Sequence, residues 1–330
     1  MMKWIALFAA LASGGAALAQ GKAEPPRWSI AIHGGAGTLE RKDMTAEKDA
    51  AYRAALQAAL DAGKSVLAKG GSSLDAVTAV VRVLEEDPKF NAGKGAVYTW
   101  DGTHELDAAI MDGRTRAAGA IAGVTTVRSP ILLARKVMED SPHVMLAGRG
   151  AEQFAAEKGL ELVPNSWFDT PERLEALERM KAKKLSALDV DLKFGTVGAV
   201  ALDAKGNLAA ATSTGGMTGK RWGRVGDAPL IGAGTYAENG TCAVSATGWG
   251  EYFIRVGVAR TICARMSMKG ESAQVAADAT LADVAKLGGD GGVIVAGANG
   301  DVVFGIEAGG MYRARATSAG VNEVAIYKDE

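Results

Sequence analysis

The chain has 330 residues, 48% of them hydrophobic and 23% charged, enough for one large domain or two small ones with a substantial core. A formal net charge of −1 supplies no global field to recruit nucleic acid or an anionic membrane surface. The 43 glycines, set among Ala, Val and Thr without a collagen period, point to tight turns and close backbone approach rather than low-complexity disorder.

Residues 1–19 read as an address. Lys3 precedes an apolar stretch over 4–11, and Ala17-Leu18-Ala19 supplies a small-residue cleavage signature. The stretch is too short to span a bilayer, no other segment is a candidate span, and no Cys follows it for lipid attachment. The expectation is a signal peptide and an exported protein, periplasmic or secreted. In an oxidising compartment Cys242 and Cys263 can pair, yet two thiols in a large core are more often simply buried, and unpaired cysteines are expected.

After the address, residues 28–33 predict a short buried strand ending in the turn His33-Gly34-Gly35-Ala36-Gly37. Ala and Leu spacing predicts a helix over 47–69. Ser72 and Asp75 form a capping-box pattern for a second helix running to about Glu86. Residues 87–95 are a loop, 105–112 and 117–124 are strand-like, Pro130 opens a helix, 143–147 is a strand and 150–158 is helical. Residues 164–195 are highly charged and poor in large core residues, and predict an exposed, mobile linker with a helical portion. The character then changes abruptly. Residues 196–203 and 208–213 predict a hairpin around Ala204-Lys205-Gly206-Asn207. Helices over 251–265 and 272–287 precede a last hairpin, 293–296 with 302–306, turned by Asn299-Gly300. Strands and helices in blocks favour an α+β fold of antiparallel sheets with helices outside.

Several familiar chemistries find no support. His33, His104 and His143 are widely separated and no H-E-x-x-H or paired Cys motif exists, which argues against a zinc enzyme. The His33–Gly37 run is similar to a lipase oxyanion loop, but no G-x-S-x-G elbow accompanies it. Gly232-Ala233-Gly234 lacks the helix and acidic partner of a dinucleotide loop. Each of these is read as a glycine turn.

The informative stretch starts at the composition break. Thr196 opens a buried strand directly after the linker, as a β-suited Thr would in any strand. Then follow Ala211-Thr212-Ser213-Thr214-Gly215-Gly216, Gly223-Arg224-Val225-Gly226-Asp227 and Thr247-Gly248-Trp249-Gly250. Ordinary turns and a surface ion pair account for each piece singly, but poorly for all four in order.

The run GTVGAVALD, ATSTGGMTGK, GRVGDAPLIGAG and ATGWGEYFIR (within 195–255) resembles the plant-type L-asparaginase/isoaspartyl peptidase family of threonine N-terminal-nucleophile hydrolases. IHGGAG (32–37), LEEDPKFNAGKGAVYTWDG (84–102) and HELDAAIMDG (104–113) extend the resemblance over nearly all of the mature chain. It implies a four-layer αββα sandwich, one domain cut by itself between Gly195 and Thr196 into an α subunit (20–195) and a β subunit (196–330). A threonine hydroxyl is a poor nucleophile at neutral pH; the freed α-amine, titrating near 8, supplies the base. The substrates implied are asparagine and β-aspartyl dipeptides, with Arg224 gripping the α-carboxylate and Asp227 the α-ammonium. Thr247 and Gly248 would form the oxyanion hole, Thr214 would orient the nucleophile, and Asn91 would orient the amine or the substrate. Leu84, Glu85, Asp87, Phe90, Ala92 and Lys94 match a loop whose carbonyls bind sodium; the same residues also suit a purely structural loop. No organic cofactor is implied, and a dimer of cleaved protomers is.

Three stretches depart from the family's pattern: Gly219-Lys220-Arg221-Trp222 is bulky and basic, Trp249 sits beside the oxyanion pair, and 307–312 lacks a polar Asn-Thr-Glu run. They leave open the preference between asparagine and dipeptides. Two alternatives remain: a glycosylasparaginase, against which Gly195 and Gly215 argue, and a secreted binding protein that kept the fold without catalysis.

Overall fold

The computed structural model describes residues 27–37, 39, 41–183 and 195–330. The expected signal peptide and residues 184–194 of the expected linker lie outside the described residues. No helix among the described residues is long and apolar enough to cross a membrane.

Local chemistry sets the first elements. Strand β1 (Ser29–Gly37) is followed by α1 (Ala46–Ala68), whose N-cap Thr45 accepts a hydrogen bond from the Lys48 amide. Helix α2 (Ser73–Glu86) starts where the Ser72 side chain accepts from the Asp75 amide, and its Ala76, Val77, Val80, Val81 and Leu84 make one buried face. Then come β2 (Leu106–Asp112), β3 (Ala118–Val124), α3 (Pro130–Asp140), β4 (Met145–Ala147), α4 (Gly148–Glu157) and α5 (Pro171–Ala182). The second part holds β5 (Val197–Leu202), β6 (Leu208–Thr214), β7 (Thr235–Glu238), β8 (Cys242–Gly248), α6 (Gly250–Val256), α7 (Val258–Lys269), α8 (Ala273–Lys286), β9 (Gly291–Gly297), β10 (Val302–Ile306), β11 (Gly310–Thr317) and β12 (Asn322–Tyr327).

The strands form two sheets. One has the order β12-β11-β1-β5-β6-β2-β3-β4, antiparallel except for β3–β4; the other is β10-β9-β8-β7. Side-chain alternation sorts two cores. Ile30 and Ile32, Val197, Ala199 and Ala201, and Ala209 and Ala211 face α1, α2 and α3. Ala31, Val200, Leu202, Leu208 and Ala210 face the second sheet, where they meet Val244, Val293 and Val295. Helices α7 and α8 cover the outside of that sheet. The result is an α+β domain layered helix, sheet, sheet, helix.

Four differences separate the fold from the sequence reading. Strand β1 runs through the expected glycine turn, with a register shift between His33 and Gly35 that keeps Gly35, Ala36 and Gly37 paired to β11. The helix expected over 251–265 is two, broken at Gly257, which sits at φ 63° and caps α6. Residues 164–183 are not an exposed linker: Phe168, Leu177 and Met180 are buried, and the Asn165 side chain donates to the carbonyls of His104 and Thr125. Strands β7, β8, β11 and β12 lie outside every predicted element. Pairing decides them, β8 with β9 and β11 with β1.

The cysteines are a correction too. Cys242, at the start of β8, and Cys263, in α7, form a disulfide with Cα atoms 5.6 Å apart, tying the second sheet to its covering helix. Both are fully buried, so burial and pairing are not alternatives here. Across a sequence separation of 21 residues, loop-closure entropy assigns such a bridge about 3 kcal/mol. We expect the Cys242→Ala/Cys263→Ala chain to lose roughly that much in urea unfolding without reductant. Equal midpoints for the two chains would show that the thiols are unpaired in the purified protein.

Candidate active site

The register of β1, β5, β6 and β2 assembles the centre of the site. Odd-numbered residues of β5 and β6 face the helices, so Thr196 and Thr214 point between the sheets. Thr196 is 9% exposed and its Oγ1 donates to Thr214 Oγ1 at 3.2 Å. Thr214 Oγ1 also accepts from the Gly216 amide at 3.0 Å. On the other side of the Thr196 peptide, Gly195 has φ +121°, a conformation that favours glycine. Its Cα is wedged between Gly35 and Asn91: a Cβ on Gly35 would lie 2.5 Å from it, and its own Cβ would lie 2.9 Å from that of Asn91. The bond joining 195 and 196 therefore sits in a tight, buried place beside a hydroxyl that a second hydroxyl orients.

Arg224 and Asp227 come together as a second half of the site. Asp227 is buried; its Oδ2 finds no hydrogen-bond partner among the described residues. Burial pushes its carboxyl up to about 7, against the pull of the Arg224 charge and two backbone amides. Arg224 uses Nε and Nη2 to bind Glu251 at 2.9 and 3.0 Å. That partner escaped the sequence reading, although it lies in the first turn of α6 directly after Gly250. Gly250 is where the two groups meet, since a Cβ there would lie 2.9 Å from Arg224 Nη2 and from Asp227 Oδ1. Burial raises the carboxyl of Asp107, the cross-strand partner of Thr214, against the pull of the Lys220 and Arg224 charges. Asp107 is itself buried, with Oδ1 on the Gly123 amide and Oδ2 unpartnered.

Thr247 and Gly248 end β8 opposite Gly292 and Gly291, two residues before the Gly250 contact. The Thr247 hydroxyl accepts from the Ala36 amide at 3.3 Å, so the end of β8 meets the glycine run of β1. Asn91 is buried at the site, but its amide is occupied by backbone. Oδ1 accepts from Val97 N at 2.9 Å and Nδ2 donates to Gly216 O at 2.7 Å, holding the turn after Thr214.

In the expected sodium loop, Leu84, Phe90 and Ala92 are buried, Asp87 binds Lys89, and Lys94 Nζ lies 4.3 Å over the Trp167 ring. Glu85 is more than a backbone carbonyl. Its buried carboxyl accepts from Ser129 Oγ at 2.6 Å, Ser213 Oγ at 2.7 Å and Ile131 N at 2.9 Å, and burial raises it to about 7. The loop does contain a carbonyl cradle that a Cβ would fill: one on Gly95 would collide with Phe90 O, one on Gly93 with Glu85 O.

Of the departing stretches, only part is outward. Lys220 is buried, donating to Glu105 O at 2.9 Å, while Arg221 stacks on Trp100 at 3.5 Å and Trp222 is 95% exposed. The sequence reading also missed His33 as anything but part of a turn. It is fully buried, its Nδ1 2.9 Å from Thr196 O and its Nε2 2.9 Å from Ser245 Oγ. Burial lowers its pKa to about 3, so the imidazole is neutral.

Residues 26–326 match the family model described as Asparaginase. The chain is 50% identical over 311 residues to the isoaspartyl peptidase of Escherichia coli (strain K12), covering 91% of this chain and 96% of that protein. It is 50% identical over 308 residues to the isoaspartyl peptidase of Salmonella typhimurium, covering 91% and 98%. To the isoaspartyl peptidase/L-asparaginase of Homo sapiens it is 43% identical over 276 residues, covering 83% and 88%.

Three of the buried titratable groups link stability to pH with opposite signs. Glu85 and Asp227 start from 4.5 and 3.8 and rise to about 7, so their contribution is full below the lower values and lost as pH rises through 7. His33 falls from 6.5 to about 3; its contribution is full above 6.5 and lost as pH falls. Glu85→Gln keeps the hydrogen-bonding shape but cannot ionise. Between pH 5 and 7, urea unfolding should show the wild type losing about 1.4 kcal/mol per pH unit more than this variant. Parallel pH profiles would mean that Glu85 stays ionised in the fold.

Proposed function

The chain belongs to the asparaginase family, and on that premise we propose that it hydrolyses the side-chain amide of L-asparagine and β-aspartyl dipeptides to release L-aspartate, with Thr196 as a nucleophile armed by cleavage after Gly195. The observation that carries this reading is the buried Asp227 beside Arg224, with an oxygen that has no partner among the described residues, both packed against a Gly250 whose missing side chain lets them sit together. A buried anion and cation side by side suit a zwitterionic α-amino acid head, whose ammonium supplies the partner that Asp227 lacks. An ordinary internal α-peptide has neither group free at this point. The relatives named isoaspartyl peptidase and L-asparaginase support the same substrate class.

The chemistry follows from the threonine pair. In maturation Thr196 Oγ adds to the Gly195 carbonyl carbon, the C–N bond breaks, and the Thr196 nitrogen leaves as an amine. Water then opens the ester, giving a Gly195 carboxylate and a free Thr196 hydroxyl. In turnover that amine takes the hydroxyl proton while Oγ attacks the substrate amide carbon. The leaving ammonia or amino acid carries the proton away, and water frees aspartate from the acyl-enzyme. Thr247 Oγ1 and Gly248 N–H are assigned to the developing oxyanion, where one such donor is worth about 3 kcal/mol of barrier. Thr214 holds the nucleophile's hydroxyl from the side.

We assign the four layers to the N-terminal-nucleophile architecture, cut into subunits 20–195 and 196–330, with two cleaved protomers paired as a dimer. The buried disulfide supports export through an oxidising compartment. The carbonyl cradle around Gly93 and Gly95 suits a hard cation such as sodium, which would stiffen the loop carrying Asn91.

On a denaturing gel the purified protein should run as two fragments, the smaller one beginning at Thr196 by N-terminal sequencing. Thr196→Ala should run as one chain and release no ammonia from asparagine; activity in an uncut chain sinks the mechanism. Arg224→Lys should leave cleavage intact and lower kcat/KM about 100-fold, because a point charge replaces a planar fork. Equal loss of cleavage and capture would assign Arg224 to the fold instead.

A further inference from the structure

A row of polar side chains crosses the interface between the two sheets, from the nucleophile's peptide to the head-group cradle. His33 on β1, Gly198 on β5 and Thr212 on β6 are consecutive cross-strand partners on the face that looks at the second sheet. From that sheet Ser245 reaches between them, 2.9 Å from His33 Nε2 and 2.7 Å from Thr212 Oγ1. Thr235 Oγ1 continues the row, 2.6 Å from Thr212 Oγ1 and 3.0 Å from the carbonyl of Ala228, the residue after Asp227. All five side chains or glycine positions are buried.

The proton positions follow from elimination. The Thr196 carbonyl can only accept, so His33 Nδ1 carries the ring proton and donates to it. Nε2 is then an acceptor, and Ser245 must give it its hydroxyl proton. Ser245 therefore accepts from Thr212, and Thr212 accepts from Thr235, whose proton lies between Thr212 Oγ1 and Ala228 O. One orientation gives each of the four protons an acceptor, with the Thr235 proton shared between two and the Thr212 hydroxyl also 3.4 Å from the Gly234 carbonyl. Gly198 makes room for it, since a Cβ there would collide with both Ser245 Oγ and His33 Nε2.

We propose that this chain, His33–Ser245–Thr212–Thr235, is a positioning brace that fixes the Thr196 peptide relative to the Asp227 loop, so that nucleophile and substrate head are held at one spacing. The proposal rests on Thr196 being the nucleophile. None of the four side chains is assigned a contact with substrate, so their effect is on placement, and a misplacement of about 1 Å costs on the order of 100-fold in rate.

Three replacements of His33 separate placement from packing. Asparagine's Nδ2 stands in for Nδ1 and keeps the donor to Thr196 O, whereas glutamine's Nε2 stands in for Nε2 and reaches only toward Ser245. Phenylalanine fills the volume with neither. We expect kcat for aspartate release to fall about 100-fold in His33→Gln and His33→Phe, with KM within about twofold, and to stay within about tenfold of wild type in His33→Asn. Ser245→Ala should lower kcat about tenfold although it touches neither partner of the reaction. Kcat in His33→Gln equal to or above that in His33→Asn would overturn the brace.

A second measurement does not depend on turnover. Nitrogen-15 spectra of the histidine-labelled wild-type protein, with the His33 signal identified by its loss in His33→Asn, should show a protonated Nδ1 and a bare Nε2 at neutral pH. A proton on Nε2, or on both nitrogens, overturns the inference. If the wild-type chain releases no aspartate at all, the functional reading fails, and this spectrum alone decides whether the chain of bonds exists.

Discussion

A polar group buried without a partner costs about 1–3 kcal/mol, and the space between the two sheets of this protein is full of polar groups. That constraint organises the molecule. Most strand positions facing the interface are Ala, Val or Gly, which lets the sheets approach closely. His33, Thr212, Thr235 and Ser245 consequently satisfy one another, and Thr196 is held by Thr214 and, through its carbonyl, by His33. The exceptions are as informative. Asp227 Oδ2, beside Arg224, and Asp107 Oδ2, on the strand paired with Thr214, have no partner among the described residues. An open, buried carboxylate oxygen suits a cation-bearing ligand, such as the ammonium proposed for Asp227.

The two halves of the site depend on different kinds of support. Thr196, the proposed nucleophile, rests on a continuous antiparallel register, β1 to β5 to β6 to β2, where a shift of one residue would turn it toward the helices. The head-group cradle rests on turns and on one charge pair, Arg224 with Glu251, which spans from the loop to the first turn of α6. Glu251 both neutralises the guanidinium and fixes its plane, so the cradle has a defined shape before substrate arrives. The disulfide acts further out, joining β8, which carries Thr247 and Gly248, to α7.

Much of this was legible in the chain order of residues. The capped helices α1 and α2, the hairpins β5–β6 and β9–β10, and the abrupt change at Thr196 all follow from local patterns and turn chemistry. Strands β7, β8, β11 and β12 were not legible, because such short segments take strand form from their pairing, β8 with β9 and β11 with β1. The charged segment 164–183 misled for a related reason. Its few apolar residues, Phe168, Leu177 and Met180, are enough to anchor it against Tyr98 and its neighbours, and their number is too small to raise a periodic signal.

The amino-acid sequence by itself determined the local elements, the glycines that allow close approach, and the types of functional group present: hydroxyls, one arginine and one aspartate in a fixed order. Only the tertiary structure decided which buried polar atoms face each other. His33 and Thr196 are 163 residues apart, His33 and Ser245 are 212 apart, and Glu85 and Ser213 are 128 apart. Periodicity reports which face of one strand is inward, but a hydrogen bond also needs the register between strands and the stacking of one sheet on another. Those are set by packing of the whole core, so no single segment carries them.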